Sequence, residues 1–386
     1  MEILILRQSF GKFLKLSIYP IIILGLLIGF TNCTPEFKIE NPYDNVDWDN
    51  FGRFKAELHA HSTWSDGYYS PHVVVDRYHE LGYDILAFAE HGRVNYPWQE
   101  FTTREVSGRT YRRLEEGQLD GIRYEDSFVY EDRDPDSLGM LAIQANEVSH
   151  HHHMGSYFSD HADGRTASVA ESLEAIAEKN GVAVLFHPGN LTRENQSIDW
   201  YVDHFQRYDH LIGMEAYNNG FRNNPRNLNK WDSTLIRLMP DRPVWGFSND
   251  DFHGGIMGRN WNVFLLPELS LEEFRKAMEN GMFYFVYAPE GHDGPPPPEI
   301  NSIEVNSRRG TIYIDASDYQ YIEWISDNAV VYVGDKINLF DLPEVGSYVR
   351  ANIYQSKHYQ YHPPARYQQS DIGAVTVTQP FGIWKK

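Results

Sequence analysis

Seven short apolar runs, at 54–61, 84–91, 141–149, 182–188, 211–218, 244–253 and 282–287, end in polar residues and alternate with helical stretches. Runs of this length in this alternation read as repeated βα units. Segment 71–81 opens on Ser70-Pro71 and stops at Gly82, and 168–179 stops before Asn180-Gly181. Ser270 and Glu273 make a capping box for a helix that Gly281 ends. Six of the seven predicted strands carry His, Asp or Glu at or just past their C-terminal end. In β/α barrels the loops converge at that end, so scattered positions become one cluster in space. The long connection 93–139 is expected to form a flap over the mouth.

A chain of 386 residues with 41% hydrophobic and 14% aromatic content can bury a catalytic core and a small second one. The barrel is expected over 51–292. Past the proline run 295–298, short alternating segments (311–315, 329–333, 348–354, 374–378) with no amphipathic helix predict a small all-β sandwich at 300–386. Its Tyr319, Tyr321, Trp324, Tyr354, Tyr359 and Tyr361 suit packing or ligand binding. The net charge of −20, with no Lys/Arg run outside the N-terminus, disfavours a long nucleic acid, although a few arginines could hold a small phosphate.

The first residues differ from the rest. Arg7, Lys12 and Lys15 precede the apolar run 18–30, which reads as a secretory signal and is short of the roughly 20 residues a spanning helix needs. Cys33, the chain's one cysteine, follows directly. The arrangement resembles a bacterial lipoprotein signal at 1–33, which implies lipidation of Cys33, a tether at 34–50 and an exported, membrane-anchored protein in the periplasm or at the cell surface. Phe30, Thr31 and Asn32 depart from the usual small residue before such a cysteine. An uncleaved anchor or an ordinary signal with a leftover thiol are the other readings.

The strand ends carry the chemistry. The first reads Glu57-Leu58-His59-Ala60-His61, then Ser65-Asp66-Gly67. Alternation puts His59 and His61 on one face, able to grip one cation. The second ends Ala89-Glu90-His91, the third Asn146-Glu147-Val148-Ser149 before His150 to His153, the fourth Phe186-His187-Pro188, and the sixth Asn249-Asp250-Asp251-Phe252-His253. The fifth ends Glu215-Ala216-Tyr217-Asn218, where Glu215 and Asn218 could support the site, touch substrate or belong to the barrel. Arg93, Arg193, Arg222 and Arg259 follow ligand-bearing strands closely and suit bidentate phosphate binding, as they also suit a solvated surface.

In this order the motifs resemble the polymerase and histidinol phosphatase (PHP) domain family, over about 51–289. The resemblance implies a distorted (β/α)7 barrel with two or three divalent metal ions. One ion is implied on His59, His61, Glu147 and Asp251, with Glu147 bridging to a second that adds His153 and His187. A third is implied on Asp66, His91 and His253, the group expected to carry catalysis. Ala89-Glu90-His91 departs from the commoner Thr/Ser-Asp-His, a change beside the ligand. His153 is preferred because Met154-Gly155 continues into an apolar strand, with His151 and His152 as alternatives.

Mixed imidazole and carboxylate donors suit Zn, Mn or Fe rather than an all-oxygen Ca or Mg cage. The expected activity is hydrolysis of a small phosphomonoester or phosphodiester by a metal-activated hydroxide. A metal-dependent amidohydrolase is a second reading, against which no lysine at a strand end is available to bridge metals. A non-catalytic surface lipoprotein binding glycan or a protein partner is a third.

Overall fold

The computed structural model describes residues 37–94, 96, 134–162, 167–190, 196–220, 225–355 and 373–385. The signal-like segment with Cys33, most of the expected flap, Arg193, Arg222, Tyr359 and Tyr361 lie outside them.

The elements in chain order begin with β1 (Phe37–Glu40), β2 (Gly52–Ala60), α1 (Pro71–Glu80), β3 (Ile85–Phe88), α2 (Pro135–Leu138), β4 (Leu141–Ile143), β5 (Ala145–Val148) and β6 (Met154–Tyr157). There follow α3 (Val169–Glu178), β7 (Val182–Leu185), α4 (Ile198–Arg207), β8 (Leu211–Asn218), α5 (Pro225–Leu238), β9 (Trp245–Asn249), β10 (Asn260–Leu266), α6 (Leu271–Asn280) and β11 (Phe283–Tyr287). Beyond the prolines come β12 (Glu299–Asn306), β13 (Thr311–Ser317), β14 (Tyr321–Ser326), β15 (Ala329–Val333), β16 (Lys336–Asn338), β17 (Tyr348–Tyr354), β18 (Val375–Val377) and β19 (Phe381–Lys385).

Local chemistry accounts for the helix starts. Ser168 and Glu171 cap α3 reciprocally, Ser270 accepts from the Glu273 amide at the start of α6, and Gly281 ends α6 in the left-handed region. α3 and α6 each turn one apolar stripe to a sheet. Val169, Leu173 and Ile176 of α3 are buried, as are Phe274, Ala277 and Met278 of α6.

The strands do not close into a barrel among the described residues. They form an eleven-stranded sheet with the path β1-β19-β17-β18-β11-β10-β2-β3-β4, a five-stranded sheet β5-β6-β7-β8-β9, and a three-stranded sheet β12-β13-β16. The expected all-parallel ring is interrupted twice. β6 runs antiparallel to β5 and β7, and β10 runs antiparallel to β2 and β11. β10 follows β9 after a short link but pairs in the other large sheet, between β11 and β2. Among the described residues, the isolated parallel bridges Ala60↔Phe252 and His91↔Glu147 run between the two larger sheets. Both bridges sit at the strand ends that carry the His and carboxylate motifs.

The space between the sheets is filled by Leu58, Ile85, Ile143, Val184, Phe186, Phe247, Phe264 and Phe283, all buried. The segment after the prolines is hydrogen-bonded into the larger sheet, since β18 pairs antiparallel with both β11 and β17. The described residues accordingly belong to one compact unit.

Candidate metal centre

β2 sets the centre's floor. Its period of two places Glu57, His59 and His61 on one face, all fully buried. A turn follows in which the Ser65 and Gly67 amides donate to the Ser62 carbonyl, 3.2 and 2.9 Å. A Cβ on Gly67 would stand 2.6 Å from the His61 carbonyl oxygen, so the turn that aims Asp66 has room for glycine alone. The Asp66 Oδ1 then lies 3.0 Å from His253 Nε2, 3.5 Å from His91 Nε2 and 3.9 Å from His61 Nδ1.

Backbone pairing brings the next strands in. The Glu147 amide donates to the Glu90 carbonyl (3.0 Å) and the Gly92 amide to that of Glu147 (3.1 Å), which sets His91 Nδ1 2.9 Å from Glu147 Oε2. The other oxygen, Oε1, is 2.7 Å from His153 Nδ1 and 3.4 Å from His187 Nε2. Of the four consecutive histidines, His153 is therefore the one that faces Glu147. His152 is buried elsewhere, with Nδ1 on the His153 carbonyl, Nε2 on the Tyr201 hydroxyl and its ring stacked on Trp200. His151 is exposed and packs against His150.

Asp251 closes the group. Its Oδ1 stands 3.3 Å from each of His59 Nε2, His61 Nε2 and His253 Nδ1. Asp251 (φ 49°) and His187 (φ 30°) both hold left-handed backbone, an uncommon conformation for residues with side chains. Such strain at strand ends is sustained by the surrounding contacts and turns each side chain toward the cluster.

Electrostatics follow from burial and mutual charge. Burial takes His61 down to about 3, helped by the neighbouring His253. Burial acts the same way on His59, but Asp251, Glu215 and Glu147 outweigh it and raise its pKa. His253 rises to about 9 against burial through Asp66 and Asp251. In Asp66, Glu147 and Asp251 burial is outweighed by the surrounding imidazoles, which hold the carboxyls below their usual range. Ionised carboxylates drawing protons onto imidazoles mark a site that a divalent cation would balance.

Spacing gives the fit test. Four nitrogen or oxygen ligands at 2.0–2.2 Å around a tetrahedral cation stand about 3.4 Å from one another. His59 Nε2 and His61 Nε2 lie 3.5 and 3.4 Å from Glu147 Oε2, and 3.3 Å from Asp251 Oδ1. Both nitrogens are buried without an aligned hydrogen-bond partner. Four overlapping groups have donor atoms close enough to share an ion: His61-Asp66-His91-His253, His59-His61-Glu147, His59-His187-Asp251 and His91-Glu147-His153. The residues fit metal ions.

The other expected contacts divide. Arg93 is half-buried, its guanidinium 5.7 Å from the Trp64 ring. Arg259 is half-buried, with its backbone amide on Asp250. Asn218, for which the sequence leaves site support, substrate contact and a barrel role open, is fully buried with Nδ2 on Glu215. Sequence reasoning set Glu90 beside the ligand His91 and gave no role to Glu57 or Asp250; all three are buried carboxylates beside the centre. Glu57 accepts from the His59 and Asp250 amides, Glu90 from Ser62 and Ser65, and Asp250 from the amides of Gly258, Arg259 and Asn260. Burial pushes Glu90 up to about 7 and Asp250 to about 6. The available signal was strand parity for Glu57 and adjacency to a ligand for the other two.

No family model matches the chain. A stretch of 56 residues is 32% identical to the DNA polymerase/3'-5' exonuclease PolX of Bacillus subtilis (strain 168). That match covers 14% of this chain and 10% of the relative's length. Among solved structures, the chain is similar to a two-domain protein containing a predicted PHP-like metal-dependent phosphoesterase from Bacteroides vulgatus ATCC 8482. The TM-score is 0.47 and the identity 16%, over 80% of this chain and 91% of the other. It is also similar to the lesion-specific endonuclease PfuEndoQ from Pyrococcus furiosus, with TM-score 0.34 and 15% identity over 59% and 56% of the two chains.

Proposed function

We propose that this chain is a metal-dependent phosphoesterase that hydrolyses a small phosphomonoester or phosphodiester. The observation that carries the reading is the spacing of imidazole nitrogens and carboxylate oxygens at 3.3–3.5 Å, the separation of ligands around shared cations rather than of direct hydrogen bonds. His59, His61, Glu147 and Asp251 would hold one ion, Glu147 with His153 and His187 a second, and Asp66, His91 and His253 a third. Zinc, manganese and iron suit this donor set. When bound, such ions supply an acidified water and offset the charge of a phosphoryl group.

The chain's own residues give the site a direction. His59, His61 and Asp251 are 0–3% exposed, whereas Asp66, His91 and His253 are 13%, 27% and 33% exposed. Substrate therefore meets the centre at the Asp66, His91 and His253 edge. Guanidinium groups such as those of Arg93 and Arg259 suit a phosphate in bidentate geometry.

The test is the full-length protein, loaded with manganese or zinc, on p-nitrophenyl phosphate, bis-p-nitrophenyl phosphate and a panel of dipeptides and hydantoins. Turnover of a phosphoester is expected, and Asp251→Ala should lower it by about a hundredfold or more while lowering bound metal. Turnover of amides alone, or undiminished activity in the Asp251 variant, contradicts the reading.

A further inference from the structure

We propose that Glu215 is a positioning residue of this centre, which fixes the tautomer of His59 and the backbone of His187 and so ties two ion positions to one carboxylate; this rests on the metal-centre reading above. Glu215 lies on β8, fully buried, and makes four contacts from four strand ends. Its Oε1 accepts from His59 Nδ1 (2.8 Å) and Asn249 Nδ2 (2.8 Å). Its Oε2 accepts from the His187 amide (2.8 Å) and Asn218 Nδ2 (2.7 Å). Four donors use the four acceptor positions of an ionised carboxylate.

Two consequences follow for the neighbouring side chains. A carboxylate only accepts, so the His59 proton sits on Nδ1. That leaves the lone pair on Nε2, the atom 3.5 Å from Glu147 Oε2 and 3.3 Å from Asp251 Oδ1. The same carboxylate holds the His187 amide where φ is 30°, a conformation that needs an external hold, and thereby aims His187 Nε2 at Glu147. Asn249 and Asn218 complete the acceptor positions, so the carboxylate has no freedom to rotate away from either histidine.

Glu215→Gln preserves size and changes only this logic. An amide offers one accepting oxygen and one donating nitrogen, and either orientation turns its NH2 onto two existing donors. With the NH2 toward His59, the ring moves its proton to Nε2 and the lone pair is lost. With the NH2 toward His187, that amide and Asn218 lose their acceptor.

The experiment titrates Co(II) into full-length wild type and Glu215→Gln, following heat and the visible ligand-field bands. A fall of about tenfold to a hundredfold in the tightest affinity, with altered bands, is expected in the variant. Equal affinity and equal spectra overturn the positioning role and leave the metal centre standing. Absence of Co(II) binding by the wild type overturns both. A second measurement does not depend on Glu215→Gln folding: in 15N-histidine spectra of the zinc-loaded wild type, the ring whose signals vanish in His59→Gln is expected to carry its proton on Nδ1 and the ion on Nε2. A His59 ring protonated on Nε2 overturns the proposal.

Discussion

Two glycines bear on the same centre for different physical reasons, and the difference predicts opposite outcomes. A Cβ at Gly220 would meet the Asp251 side chain, 2.4 Å from Oδ2 and 2.9 Å from Cβ, whereas a Cβ at Gly67 would meet backbone, 2.6 Å from the His61 carbonyl oxygen and 2.7 Å from Ser62 Cα. The Asp251 carboxylate can rotate away only by leaving the imidazoles around it, whereas relief at Gly67 requires movement of a turn pinned by two hydrogen bonds to the Ser62 carbonyl. Gly220→Ala is therefore expected to cost less unfolding free energy than Gly67→Ala while displacing Asp251 and weakening metal binding about tenfold or more. Gly67→Ala should be destabilising by about 1–3 kcal/mol, because backbone must move to relieve the overlap. Urea unfolding and calorimetric metal titration of the two variants check the contrast. Equal losses of stability in both would show that the Asp251 side chain is not free to give way.

The elements themselves differ in how far the sequence announces them. β2 was readable because a strand's period of two makes His59 and His61 share a face wherever the strand sits. β10 was not, because its opening, Asn260-Trp261-Asn262, has the polarity of a loop. In the fold these asparagines are buried and replace ladder contacts. The Asn262 amide group accepts from the Ser248 amide and donates to the Ser248 carbonyl and Asn249 Oδ1, and Asn260 donates to the Ser248 hydroxyl. Strand direction was equally hidden, since it depends on a partner that no local pattern names. A third hidden element contact is the ion pair of α5 with β17. Arg350 donates from Nε and Nη2 to Asp232, 2.8 and 2.7 Å, both side chains are buried, and Tyr348 donates a third hydrogen bond to the same carboxylate. Removing one partner leaves the other charge buried, so Asp232→Ala is expected to cost about 3–5 kcal/mol in urea unfolding. Metal bound per folded molecule should be unchanged, since neither residue reaches the centre. A loss below about 1 kcal/mol would mean that the guanidinium finds water when Asp232 is gone.

At the scale of the whole molecule, the order of metal-binding motifs along the chain was legible, whereas the way the sheets are held together was not. The expected small sandwich at 300–386 is instead sewn to the strands that carry the centre. β18 pairs with β11 through Phe285↔Val377, Val286↔Thr376 and Tyr287↔Val375. Two residues later, Gln379 acts as a piece of strand made from a side chain: its Oε1 accepts from the Gly246 amide and its Nε2 donates to the Gly246 carbonyl, both at 2.8 Å. Gly246 belongs to β9, at the edge of the five-stranded sheet, so the C-terminal segment joins both larger sheets. Gln379 is fully buried, and water cannot replace it without a cavity. Gln379→Ala strands one backbone N–H and one C=O and is expected to cost about 2–4 kcal/mol in urea unfolding. Removing everything after residue 298 goes further, because it uncovers one edge of β11, a buried strand of sequence FYFVY, at Phe285, Val286 and Tyr287. The shortened chain is expected to aggregate instead of yielding a soluble metal-binding protein, as read by size-exclusion chromatography. A monodisperse, metal-binding product ending at 298 would show that the centre folds without the C-terminal strands, and that their pairing with β11 and β9 is not needed to hold the two sheets together.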